Sequence, residues 1–209
     1  MNEITSITPQ LKDKTRCNIY VDGRFYCGLG LEIAIKHRLK VGMVIDENFL
    51  SQIQLDGEKA KALDKALTHV SATAKTEKEI RDFLNKKGYL PAVCDYVIEK
   101  MKDYRFVNDG EYAQSYVSHA GAKKGSRLIK LELQAKGIAE TDVENALSAL
   151  DEQTQIDSAT AILQKYMRGK TADRETLAKA FRYLMSKGYE YEIARSALRA
   201  FGDTDDTEE

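Results

Sequence analysis

The stretch Thr76-Glu77-Lys78-Glu79-Ile80-Arg81-Asp82-Phe83-Leu84-Asn85-Lys86-Lys87-Gly88-Tyr89-Leu90-Pro91 reads as one short amphipathic helix, a turn and the start of the next helix. Thr76 and Glu79 have capping-box spacing, in which each side chain satisfies an exposed amide of the other. Ile80, Phe83 and Leu84 fall on one helix face. Gly88 supplies a C-cap, because glycine enters the left-handed region without a steric penalty. Pro91 suits a first helical turn, where its missing N–H is not needed.

The pattern recurs about every fifty residues, at Lys136-Gly137-Ile138 and Lys187-Gly188-Tyr189. Leu84, Leu133 and Leu184 each stand four residues before the glycine, and Ile98, Leu147 and Leu198 stand ten after it. Such a period marks a tandem helical array, and arrays work as binding surfaces more than as catalytic pockets. The helical pattern sets in after Asp46, with Phe49, Ile53, Leu63, Leu67 and Val70 at helical spacing. Tyr112, Ala113, Tyr116 and Val117 open the second unit, and Thr141-Asp142-Val143-Glu144 reads as another capping box. Ala159, Ile162, Leu163 and Tyr166 open the third. Each unit is expected to hold three helices, the last two meeting at the Gly turn like a helix-turn-helix.

Residues 1–55 differ. Asp22-Gly23 lies between the β-rich runs Arg16–Tyr20 and Phe25–Cys27, a strong hairpin signal. A short helix is expected over Glu32–Arg38 and a short strand over Lys40–Ile45. The expected organisation is a mainly α chain of three tandem three-helix repeats in an extended array, with a small N-terminal α+β hairpin extension. The boundaries are 1–55 for the extension, 56–105, 106–152 and 153–202 for the repeats, and 203–209 for an acidic, disordered tail.

The 209 residues are 43% hydrophobic and 31% charged, with two prolines and no Trp, as in a soluble helix-rich protein. No run of about 18 apolar residues and no apolar leader is present. Three well-spaced cysteines, Cys17, Cys27 and Cys94, lack a CxxC pair and fit free thiols in a reducing cytoplasm. The net charge of −1 conceals +4 on residues 153–202 and −5 on residues 203–209.

Basic residues recur at matching offsets from the first two glycines: Lys75 and Lys124, Lys78 and Arg127, Arg81 and Lys130. Repeat three breaks the register with Arg174, Lys179 and Arg182. The stretches 121–136 (Lys123, Lys124, Arg127, Lys130, Lys136) and 165–182 (with Lys165, Arg168 and Lys170 in addition) are the preferred anion-facing patches. Lys87, Lys136 and Lys187 complement a helix C-terminal dipole. Tyr89, Tyr112, Tyr116 and Tyr189 have the spacing of core residues. His37, His69 and His119 stand on separate elements, so neither a metal set nor a triad emerges. Gly28-Leu29-Gly30 lacks the third glycine of a dinucleotide fingerprint.

Several elements together resemble the RecX family of bacterial RecA regulators: Glu79-Ile80 through Lys87-Gly88-Tyr89, Asn108-Asp109 with Tyr112-Ala113, Lys124-Gly125, and Leu131-Glu132-Leu133 through Lys136-Gly137-Ile138. The resemblance covers residues 56–202, and the N-terminal region looks like the extension of long members. It implies a cytoplasmic protein that binds the RecA recombinase or its filament on single-stranded DNA, and the chain itself is expected to be a monomer. It further implies suppression of filament growth, ATPase and strand exchange in DNA repair and recombination, with no catalytic residue, metal or cofactor. The fourteen basic residues named above, from Lys75 to Arg182, are then candidates for the filament contact. The alternative is a helix-turn-helix nucleic-acid-binding protein acting without RecA.

Overall fold

The computed structural model describes residues 2–11 and 13–205. The chain divides into two compact units, Met1–Thr73 with Ile80–Phe106, and Ala74–Glu79 with Val107–Glu209.

In the first unit, strands β1 (Asn2–Pro9), β2 (Arg16–Val21), β3 (Arg24–Gly30) and β4 (Val44–Ile45) form an antiparallel sheet of order β3-β2-β1-β4. Asp22 and Gly23 both take positive φ, 48° and 77°, and close the β2–β3 hairpin as the sequence predicts. β1 was not anticipated. Its apolar Ile4 and Ile7 are three residues apart, which breaks the alternation of a regular strand. A register shift between Ile4 and Ser6 brings both toward one face. The strand expected over Lys40–Ile45 shortens to Val44–Ile45, because Gly42, at φ +85°, turns the chain back. Ile4, Cys17, Ile19, Leu29 and Ile45 pack against Ile33 and Ala34 of α1 (Leu31–Lys36) and Ile53 of α2 (Glu47–Ser71). α2 is one helix of 25 residues, so position 55/56 lies within it. It packs on α4 (Pro91–Asp103), which follows α3 (Glu77–Lys86).

Asp56 of α2 is buried and gathers three donors: Lys36 at 2.7 Å, His37 Nε2 at 2.9 Å and Gln52 at 3.2 Å. Burial alone would raise its pKa, but the hydrogen bonds from Lys36 and His37 outweigh burial and hold it below the ordinary value. A carboxylate with a depressed folded pKa contributes stability above its unfolded pKa of about 4, and that contribution is lost as pH falls through the folded pKa. Acid titration of urea stability should therefore be flatter below about pH 4 in Asp56→Asn than in the wild type. Parallel curves would contradict the assignment.

The second unit holds α5 (Asp109–Ala120), α6 (Ser126–Ala135), α7 (Glu140–Leu147), α8 (Glu152–Met167), α9 (Arg174–Ser186) and α10 (Tyr191–Asp205). The acidic tail expected over 203–209 falls on the end of α10 and on residues 206–209, which lie outside the described residues. Ala113, Val117, Ile129, Leu133, Ile138, Val143 and Ala146 form one core, and Ala159, Leu163, Ala180, Leu184, Tyr189 and Ala194 lie in another.

The three Lys-Gly turns are built alike. Gly88, Gly137 and Gly188 have φ of +83°, +82° and +86°. The amide after each donates to the Leu four residues before the glycine, at 3.3, 3.2 and 3.3 Å, as in a Schellman cap. This explains the recurring Leu84, Leu133 and Leu184, each fully buried. The capping box at Thr76–Glu79 is present, at 3.0 and 3.3 Å. The one expected at Thr141–Glu144 is not: α7 starts two residues after Ile138, with Ala139 as N-cap, which places Thr141 inside the helix.

Within the second unit, helix starts dock on these turns. The Gly125 and Arg127 amides at the start of α6 donate to the Lys187 and Gly188 carbonyls, at 3.0 and 3.1 Å. Thr76 Oγ1 donates to the Lys136 carbonyl at 2.8 Å, Lys78 Nζ to the Ala135 carbonyl at 2.7 Å, and Lys136 Nζ pairs with Glu79 at 2.7 Å. A positive helix start thus meets a negative helix end each time.

Tyr189 is fully buried, and its hydroxyl has no hydrogen-bond partner among the described residues. Burial pushes its pKa up to about 12. An unpaired buried hydroxyl costs about 1–3 kcal/mol, so Tyr189→Phe should match or exceed wild-type stability by about 1 kcal/mol in urea melts. A loss of that size would show that the hydroxyl has a partner in solution.

Candidate protein and nucleic-acid interface

The fourteen candidate basic residues divide by what they already touch. Arg81 pairs with Asp95 at 2.6 Å, Lys124 with Glu132 at 2.6 Å, Lys136 with Glu79 and Lys179 with Glu175 at 2.7 Å, and Lys130 with Glu140. Glu132 also accepts from the Tyr116 hydroxyl at 2.6 Å. Burial raises the Glu132 pKa, but its bonds to Lys124 and Tyr116 bring it below the usual value. Lys78 is directed to the Ala135 carbonyl. The first two repeats' stripe is thus largely neutralised or used internally.

Exposed, and without an acidic partner among the described residues, are Lys123 and Arg127 near the start of α6, and Lys165, Arg168 and Arg174 from the end of α8 to the start of α9. Lys75, before α3, is half-buried. Lys170 and Arg182 are exposed: Lys170 lies 3.4 Å over the Tyr166 ring, and Arg182 donates to the Ala178 carbonyl at 3.3 Å. The run 165–174 forms a basic corner of the second unit, with four cations against the one carboxylate of Asp173.

The lysine of each Lys-Gly turn does more than complement a dipole. Lys87 lies over Phe83 at 5.6 Å, Lys136 over Tyr112 at 5.3 Å and Lys187 over Tyr183 at 5.3 Å. The rings themselves are stacked: His69 on Phe83 at 4.1 Å, Tyr112 on Tyr116 at 6.3 Å and Tyr166 on Tyr183 at 4.7 Å. Sequence reasoning missed this device. Its signal was an aromatic five residues before the glycine in repeats one and three, Phe83 and Tyr183, replaced by Glu132 in repeat two. In repeat three the order is Lys170, Tyr166, Tyr183, Lys187, so a nucleobase reaching these rings must displace a lysine. Tyr189 is core, while Tyr89, Tyr112 and Tyr116 are half-buried.

His37 is bound to Asp56, and His119 Nδ1 lies 2.7 Å from the Ser115 carbonyl. The three cysteines are free thiols. No helix among the described residues is long and apolar enough to cross a membrane.

The sequence matches the Regulatory protein RecX N-terminal domain over residues 2–46. It matches the first, second and third RecX three-helix domains over 62–101, 108–147 and 153–198. The chain belongs to the RecX family. Among relatives of this RecX-family chain, the Regulatory protein RecX of Clostridium perfringens (strain 13 / Type A) is 34% identical, over 95% of this chain and 96% of that one. That of Bacillus pumilus is 32% identical, over 100% and 81%. A crystal structure of regulatory protein RecX superposes with a TM-score of 0.78 at 27% identity, covering 93% and 98% of the two chains. The RecX structure from Lactobacillus salivarius gives 0.65 at 27%, covering 69% and 97%. The RecX match thus extends through all three repeats and the N-terminal sheet.

Proposed function

We propose that this chain binds the RecA recombinase and its filament on single-stranded DNA in the cytoplasm, and restrains filament extension, ATP hydrolysis and strand exchange. It acts as a monomeric binding protein, not as an enzyme. The observation that carries the reading is the basic corner 165–174, on a chain whose four domains all match RecX. Its basic side chains have no acidic partner among the described residues and suit the anionic surface of a nucleoprotein filament. Binding through several modules multiplies modest contacts by effective concentration.

The test is ATP hydrolysis by the cognate RecA on single-stranded DNA, titrated with this protein at substoichiometric ratios. Inhibition by a few molecules per filament supports the reading. An unchanged rate, with the protein shown folded by circular dichroism, removes it and leaves direct DNA binding. That alternative is then tested by a salt titration, which must show a steep loss of affinity.

A further inference from the structure

The docking of a helix start on a Lys-Gly turn occurs twice inside the second unit. At Gly137 an added Cβ would lie 2.7 Å from Lys78 Cβ, and at Gly188 one would lie 2.3 Å from Leu128 Cβ. The residue after the glycine, Ile138 or Tyr189, is buried in both. The third turn, Lys87-Gly88, has the same backbone and is open. A Cβ at Gly88 meets nothing within 4 Å, Tyr89 is only half-buried, and Leu90 is 61% exposed.

We propose that the Lys87-Gly88 turn, with Leu90 beside it, is a socket for the first turn of a helix in the protein partner, one opening with Ser or Thr and carrying Glu three residues later. The occupied turn at Lys136 supplies that pattern, because its lysine takes a carboxylate, whereas the turn at Lys187 receives the backbone amides of Gly125 and Arg127. There Thr76 gives its hydroxyl proton to the Lys136 carbonyl, and Glu79 takes the lysine's charge. The dipole adds to it, since carbonyls at a helix C-terminus attract the amides of an incoming helix start.

A second copy of this chain does not fit as well. The start of α9 stands in its repeat where those of α3 and α6 stand in theirs, and its N-cap is Asp173. Asp173 already accepts from the Thr176 amide at 2.8 Å and the Thr171 hydroxyl at 3.0 Å, and an ionised carboxylate has no proton to give to the Lys87 carbonyl. The start of α6 is held by Lys187 and Gly188.

The proposal rests on the filament-binding function and takes the recombinase as the partner. Its experiment measures binding of the full-length protein to RecA filaments on single-stranded DNA for wild type, Leu90→Ser and Gly88→Asn. Leu90 is the N-cap of α4, where Ser is preferred, and Asn tolerates positive φ, so both variants keep the fold. Both should bind about tenfold more weakly. A photo-crosslinker at Lys86 in otherwise wild-type protein should label the first turn of a recombinase helix. Wild-type affinity in both variants, or label only on DNA or on a second copy, overturns the socket and leaves filament binding standing. A wild-type protein that does not bind filaments removes both.

Discussion

Gly188→Ala should be among the most destabilising single-methyl additions in this chain. Its φ of +86° already disfavours an L side chain, and the new Cβ would lie 2.3 Å from Leu128 Cβ and 2.4 Å from the Leu128 amide nitrogen. Both obstacles are at or next to the backbone of α6, so neither can swing aside. The left-handed penalty is about 1–2 kcal/mol and overpacking of a tight contact adds about 1–3 kcal/mol. A loss of about 2–5 kcal/mol is a large share of the roughly 5–15 kcal/mol of an ordinary domain. Gly169 is the control within the same unit. It has φ +73° with nothing within 4 Å, so Gly169→Ala should cost about 1–2 kcal/mol, the conformational part alone. Urea unfolding of the two variants separates the terms. Equal losses would mean that the α6–Gly188 docking is looser in solution than its geometry indicates.

Reversing the basic corner should produce the largest effect on binding. In the triple variant Lys165→Glu, Arg168→Glu and Arg174→Glu, no ion pair among the described residues is broken, because none of the three has an acidic partner there. Glu at position 174 is favourable at a helix start, and Glu at the end of α8 costs a few tenths of a kcal/mol per charge. The fold should therefore persist while affinity for RecA filaments falls more than tenfold at low ionic strength. The gap should close as salt rises. Lys130→Glu with Lys179→Glu is the comparison. Both lysines already face carboxylates, Glu140 and Glu175, and present dipoles more than charges. That pair should weaken binding far less. An equal loss would mean that total charge, not the corner, sets affinity.

The repeat was legible because each Lys-Gly turn is local. The apolar face, the left-handed cap and the Leu that accepts from beyond the glycine all lie within ten residues, and a periodic sequence repeats them. The N-terminal hairpin was legible for the same reason, Asp22 and Gly23 being the residues that tolerate its turn. What stayed hidden depends on distant partners. Lys136 and Glu79 are 57 residues apart, and only folding shows that one neutralises the other. β1 was hidden by its bulge, which moves Ile7 to where a regular strand would place a neighbour. The start of α7 was misjudged because Ala139 caps by backbone conformation, without a side chain that a pattern could detect. The basic stripe was visible as residue types, but its division into paired and unpaired members was not.

Asp173 bears on how a chain of this kind could lengthen. A duplication that spliced a further unit onto the end of α10 would bring a new Lys-Gly turn to the start of α9, as Gly188 is brought to α6. At α6 the receiving residue is Gly125, which offers its amide and no side chain, and at α3 it is Thr76, which has a proton to give. Asp173 offers an acceptor to an acceptor, and it stands fifteen residues before its glycine where Gly125 and Thr76 stand twelve before theirs. The incoming unit would meet repulsion and an extra turn of helix. Docking of a copied unit on α9 in the manner of Gly188 on α6 therefore needs both a change at position 173 and a shortened helix.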